Sequence, residues 1–150
     1  MERAVKSASS ESRVRASFNR QVFMKTLGAR LVSVSPGEAT VELRFRNGLT
    51  QQHGSLHAGV VASIADTACG YAALTLMPVG AAVTSVEFKI NLLAPARGPS
   101  FRATGRVIRA GKTITVCTGE VYVLRDGSQS LIAQMQATMM MLRDRPGFRD

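Results

Sequence analysis

The residue best placed by type and position to do chemistry is Asp66, the only carboxylate in the apolar run from Ala58 to Val83. That run reads as one helix from His57 to about Met77, ended by Pro78 and Gly80. At roughly 100° per residue, Gly59, Ala62, Ser63, Cys69, Gly70 and Ala73 fall within about 60° of Asp66, and Val60, Val61, Ile64, Ala68 and Tyr71 take the other side. The larger side suits a sheet-facing core, and the smaller one is a face that something approaches closely. Desolvating a carboxylate there is costly, so Asp66 has either a hydrogen-bonding partner or a chemical task. The helix start at His57-Ala58-Gly59 offers a second element, because its first N–H groups lack intrahelical acceptors and carry the positive end of the dipole. Attack on a thioester carbonyl places negative charge on the carbonyl oxygen, and a fixed N–H donor with a nearby carboxylate is the pair such hydrolysis needs. Gly59 permits close backbone approach, and Ala58 nearly does.

Other reactive side chains give weaker patterns. His53 and His57 stand four apart, yet the loop before the helix gives them no common face with Asp66, and the spacing matches no zinc pattern, so no metal is expected. Cys69 has no evident His partner and reads as a core residue. Cys69 and Cys117 form neither a disulfide framework nor a ligand set, which points to a reducing cytoplasm.

Lys and Arg outnumber Asp and Glu by 19 to 10, and a net charge of +9 attracts polyanions. The basic residues are scattered over every segment, and with no Trp and two Tyr the aromatic interleaving of a single-strand-binding surface is missing. The apolar run is too interrupted to span a bilayer, so neither nucleic acid nor membrane is the expected partner.

The elements that must position Asp66 follow from periodicity. Val14, Phe18, Val22, Phe23 and Leu27 recur at helical spacing before Gly28, behind a segment (1–16) that reads as a solvated tail. Ala29 to Ser35 reads as a strand, Pro36-Gly37 as a turn, and Ala39, Val41, Leu43 and Phe45 alternate with polar residues. Beyond the central helix come runs at Val83–Leu93, Phe101–Arg109, Thr113–Leu124 and Leu131–Leu142, with turns at Gly111-Lys112 and Asp126-Gly127, then a tail over 143–150. The order predicts an α+β domain: an antiparallel sheet of about six strands wrapped around the central helix, with an additional N-terminal helix.

At this point the segment Gln51-Gln52-His53-Gly54-Ser55-Leu56-His57-Ala58-Gly59, followed by an apolar run to Asp66, resembles the signature of the PaaI-like hotdog thioesterases, within the 4-hydroxybenzoyl-CoA thioesterase superfamily. That signature runs roughly N/Q-x-x-G-x-x-H-G-G, then D/E nine residues after the His. Thr84 to Ala96, ending in Pro95-Ala96, resembles the family's strand after the helix, and the likeness spans about residues 17 to 142. It implies the hotdog fold, hydrolysis of acyl-coenzyme A (CoA) thioesters without a cofactor, and self-association as a dimer or tetramer.

Carried over by position, Asp66 is the general base or nucleophile, the Ala58 N–H the oxyanion donor, Gln51 the group that orients the thioester carbonyl, and His57 a shaper of the helix start. Ser85 stands where relatives have a hydroxyl that positions water. Gly54 and Gly59 shape the substrate loop, and Arg97, Arg109 and Lys112, near strand ends, are candidates for the CoA phosphates. Two departures stand out: Ala58 replaces the usual first Gly, and Gln51 stands where the PaaI branch has Asn, as in the hydroxybenzoyl-CoA branch. Ser85 shares strand parity with Glu87 and Lys89, so alternation does not turn it toward the helix. A hotdog hydratase or dehydratase and a non-catalytic acyl-CoA-binding module remain alternatives, because a fold does not fix a function.

Overall fold

Strand-forming residues dominate the second half of the chain, and all of its strands join one sheet. The computed structural model describes residues 2–148, with side chains from Ser10 onward. Helices α1 (Glu2–Arg20) and α2 (Val22–Leu27) come first, then strands β1 (Arg30–Ser35) and β2 (Glu38–Arg44), the central helix α3 (Ala58–Leu74), and strands β3 (Ala82–Leu92), β4 (Ser100–Ala110), β5 (Ile114–Arg125) and β6 (Ser128–Leu142). The strands form one antiparallel sheet in the order β1-β2-β4-β5-β6-β3, curled around α3 as the sequence pattern predicts. Among the described residues, no helix is long and apolar enough to cross a membrane.

The alternation read from sequence sorts the two faces of the sheet. Ala39, Val41, Leu43, Phe101, Val121 and Met135 are buried toward α3. The other face carries a charged ladder in which Arg102 meets Glu42 at 2.7 Å and Arg106 meets Glu38 at 2.8 Å and Glu120 at 3.3 Å.

The helix can lie close because two paired positions in mid-sheet, Gly105 and Gly119, carry no side chain. A Cβ at Gly105 would stand 2.4 Å from the backbone of Ala68, and one at Gly119 would stand 2.9 Å from Cys69 Sγ. This contact overturns part of the helical-wheel assignment: Cys69 and Ala73, expected on the small-residue stripe, are fully buried, whereas Val60, assigned to the sheet side, is half-exposed. The accessible flank of α3 is Gly59, Ala62, Ser63, Asp66, Thr67 and Gly70.

The ends of the helices also differ from the periodicity. α3 stops at Leu74 rather than near Met77, where the Arg13 guanidinium donates to the carbonyls of Leu74 (2.5 Å), Met77 (2.9 Å) and Pro78 (2.7 Å). A cation at a helix C-terminus complements both the unpaired carbonyls and the dipole. The N-terminal helix covers Glu2–Arg20, including most of the segment read as a tail, and is broken at Gln21, before α2 ends on Gly28 in the left-handed region (φ 73°). Val14 and Phe18 anchor it in the core, Phe18 packing on Tyr71 with ring centres 5.8 Å apart.

Candidate active site

Asp66 lies halfway along the exposed flank of α3, half-buried, and its Oδ1 accepts a 2.6 Å hydrogen bond from Ser85 Oγ. Met139 Sδ is 3.4 Å from the same hydroxyl. Burial pushes the Asp66 carboxyl above its ordinary value, and the Ser85 hydrogen bond partly offsets this by stabilising the ionised form. Ser85 faces the helix because β3 carries a bulge between Ser85 and Glu87. Val86 is the extra residue, so the parity that groups Ser85 with Glu87 is broken and Ser85 joins Phe88 and Ile90 on the inner face.

The loop before α3 is held by its own backbone. Gln51 N donates to Ser55 O at 2.9 Å, His57 N to Leu49 O at 2.9 Å and Leu56 N to Ala96 O at 3.0 Å, and Gly54 takes the positive φ (82°) that the tight turn requires. Arg97 ties the Pro95-Ala96 connection to this loop, donating to Ser55 Oγ at 2.9 Å and to His53 O at 3.3 Å. Gln51 Oε1 accepts from the His53 N–H, which leaves its amide NH2 to donate elsewhere. His57 is the N-cap of α3: its Nδ1 accepts from Gly59 N at 2.9 Å, which places the neutral ring's proton on Nε2. With the Gly59 N–H taken, the Ala58 N–H is the first donor at the helix start, and it has no acceptor among the described residues.

These groups fall into two separate cavities. Asp66 and Ser85 line one of about 310 Å³, together with Thr67, Gly70, Tyr71 and, from the α1–α2 junction, Ser17, Arg20 and Gln21. Gln51 and Ala58 line another of about 370 Å³, otherwise apolar, with Leu56, Val61, Leu92, Leu93 and Pro95. No residue is common to both. Along α3 the eight steps from Ala58 to Asp66 amount to about 12 Å of rise. Of the three basic candidates, Arg97 braces the loop, whereas Lys112 lines a groove with Leu76, Met77 and Pro78 at the far end of α3 and Arg109 is exposed on β4.

Neither cysteine is poised as a nucleophile. Burial first, then Cys117 and Asp66, raise the Cys69 thiol far above its ordinary value, and burial lifts Cys117 to about 11. The residues that sequence reasoning missed are Ser17, Gln21 and Thr84 beside Asp66. The break of the N-terminal helix at Gln21, which brings two of them there, leaves no mark on the apolar periodicity.

Comparison with known proteins identifies the family and the fold. The model of the family described as Thioesterase superfamily matches residues 53–129, a segment that includes His57, Ala58, Asp66 and Ser85. The fold is similar to the crystal structure of a thioesterase family protein from Silicibacter pomeroyi, with 49% identity, a TM-score of 0.85, and 87% of this chain and 96% of that one covered. It is also similar to the Escherichia coli PaaI protein, with 25% identity, a TM-score of 0.81, and 91% and 95% coverage. Human acyl-coenzyme A thioesterase 13 is 31% identical over 77% of this chain and 82% of its own. The six-stranded sheet around one helix and the matched segment agree: the chain belongs to the thioesterase superfamily.

Proposed function

We propose that the protein hydrolyses acyl-CoA thioesters to a free acid and CoA, in the cytoplasm, as a homo-oligomer whose active sites are shared between two chains. The observation that carries this reading is the separation of two complementary half-sites. One cavity holds a carboxylate with its hydroxyl partner, and the other is lined by Ala58, whose N–H has no acceptor among the described residues, and by Gln51, whose NH2 remains to donate. A pair of α3 helices packed antiparallel across a two-fold axis sets the Ala58 end of one beside Asp66 of the other. The small residues along the exposed flank of α3 permit that approach.

In such a site the Ala58 N–H and the Gln51 amide donate to the thioester oxygen, where charge builds on attack. Asp66 of the other chain either takes the proton of an attacking water held with Ser85 or attacks the carbonyl itself. Breakdown of the tetrahedral centre expels the CoA thiolate; in the first case it takes up the proton held by Asp66 and leaves the free acid, and in the second it leaves an anhydride on Asp66 that water hydrolyses to the free acid. Arg97, beside the loop, is the nearest of the three basic candidates to this half-site for holding CoA phosphate.

Asp66→Ala should abolish release of free thiol from acyl-CoA while the fold persists. A folded Asp66→Ala protein with unchanged turnover would exclude Asp66 from the chemistry. Co-expression with Gln51→Ala chains tests the sharing. Random pairing makes half of the dimers mixed, each with one intact site of two, so activity should recover to about a quarter of wild type if both parents are inactive. Mixed dimers confirmed by mass but no more active than their parents would refute the shared site.

A further inference from the structure

On the far side of α1 from Asp66 lies a further cavity, of about 280 Å³, that shares no residue with either half-site. At about 100° per residue, Ser17 and Arg20 turn toward the cavity beside Asp66, whereas Arg15, Phe18 and Asn19 turn the other way and line this one. Lys25 of α2 and Arg30 of β1 complete its rim. Three elements thus bring three cations to one small space, and no carboxylate lines it.

Of the three, only Arg15 is firmly paired. It is held by Glu11 at 2.9 Å and by the Leu31 carbonyl at 3.3 Å, which fixes its guanidinium at the cavity wall. Arg30 reaches Glu42 only at 3.4 Å, and that carboxylate already accepts two bonds from Arg102, at 2.7 and 2.9 Å. The side chains of Lys25 and Asn19 make no hydrogen bond or ion pair among the described residues. Like charges gathered around one space repel, and an anion seated among them turns that cost into binding. The remaining lining is apolar, from Phe18, Ala29 and Leu31. We propose that this cavity is a second ligand site, which takes a small phosphate monoester. Its phosphoryl dianion sits among Arg15, Lys25 and Arg30, with the Asn19 amide as a further donor, and its organic body lies against Phe18 and Leu31. A guanidinium fork matches phosphate oxygens, and three cations suit a dianion better than a carboxylate. The volume falls at the small end of the range of about 300–1,000 Å³ usual for ligand pockets, which limits the body to about one ring. CoA also carries phosphates, so the test separates a free ester from the substrate's own nucleotide.

The whole protein is titrated by calorimetry with phenyl phosphate, inorganic phosphate and benzoate at matched ionic strength. Phenyl phosphate should bind at one site per chain, about tenfold or more tighter than inorganic phosphate, which has no apolar body, and than benzoate, which has a single charge. Lys25→Ala combined with Arg30→Ala should weaken it by about tenfold or more while leaving the KM for acyl-CoA unchanged. Absence of saturable binding to wild type overturns the proposal, and so does an affinity no better than that for benzoate or inorganic phosphate. Neither result needs a variant. Binding that survives the double substitution overturns it as well. If the double variant raises KM for an acyl-CoA but not for the matching acyl-pantetheine, the cavity holds the substrate's phosphate and the second site is refuted. Binding is read without turnover, so loss of the thioesterase reading would leave this inference standing or falling on its own titrations.

Discussion

Asp66 owes its chemistry to a balance between burial and one hydroxyl. Burial raises its pKa and the Ser85 hydrogen bond lowers it, so Ser85→Ala should push it higher still. If ionised Asp66 is the active form, the acid limb of the kcat profile moves to higher pH in that variant, with kcat at neutral pH down by about 10- to 100-fold. An acid limb that stays in place would detach Ser85 from the carboxylate's role. Stability carries the opposite sign to activity. A carboxyl raised in the folded state stabilises the fold fully below its unfolded value, and that contribution is lost as pH rises through the folded value. Asp66→Asn mimics the protonated form, so it should melt above wild type at pH 7, and the gain should vanish near pH 3. A variant that melts lower at pH 7 would show that the ionised group is structurally required. Asp66 was legible in the sequence because a lone mid-helix carboxylate is conspicuous, and His57 because it stands where the helix must start. The orientation of Ser85 was not, because one bulged residue reverses strand parity and period-two counting has no way to see it.

At the scale of elements, the fit of α3 into the sheet depends on what is missing from β4 and β5. Any side chain at Gly105 runs into the backbone of Ala68, whereas one at Gly119 meets the movable Cys69 thiol. Gly105→Ala should therefore cost about 1–3 kcal/mol by overpacking. Gly119→Ala should cost less, the ranking being read from denaturant midpoints. Equal melting of the two proteins would mean that the sheet yields at Gly105. Strand and helix existence were readable from periodicity, and the strand boundaries fell within a few residues, whereas the N-terminal helix begins at Glu2, well inside the segment read as a tail. The break at Gln21 and the depth of Cys69 and Ala73 were not readable, since a helical wheel assigns faces around one axis but not how far the sheet wraps it. Mid-strand glycines are the signal that points to such a close approach.

For the whole molecule, β3 is an edge strand with unpaired backbone on one side, and Val86 (53%), Phe88 (43%) and Leu92 (53%) are exposed along it. Long apolar edges invite pairing. In the shared-site reading this edge lies near the partner, so Phe88→Glu should yield a folded species of half the assembly's mass with little hydrolysis, as sedimentation and thiol release would report. A monomer of full activity would separate the edge from catalysis. The glycine contact beneath α3 bears on a different matter, the tolerance of sequence drift. Because the helix rests on the sheet through main chain at Gly105, its height over β4 and β5 is fixed by atoms that every residue shares. Side chains elsewhere in the core can then be exchanged without lifting the carboxylate away from its hydroxyl.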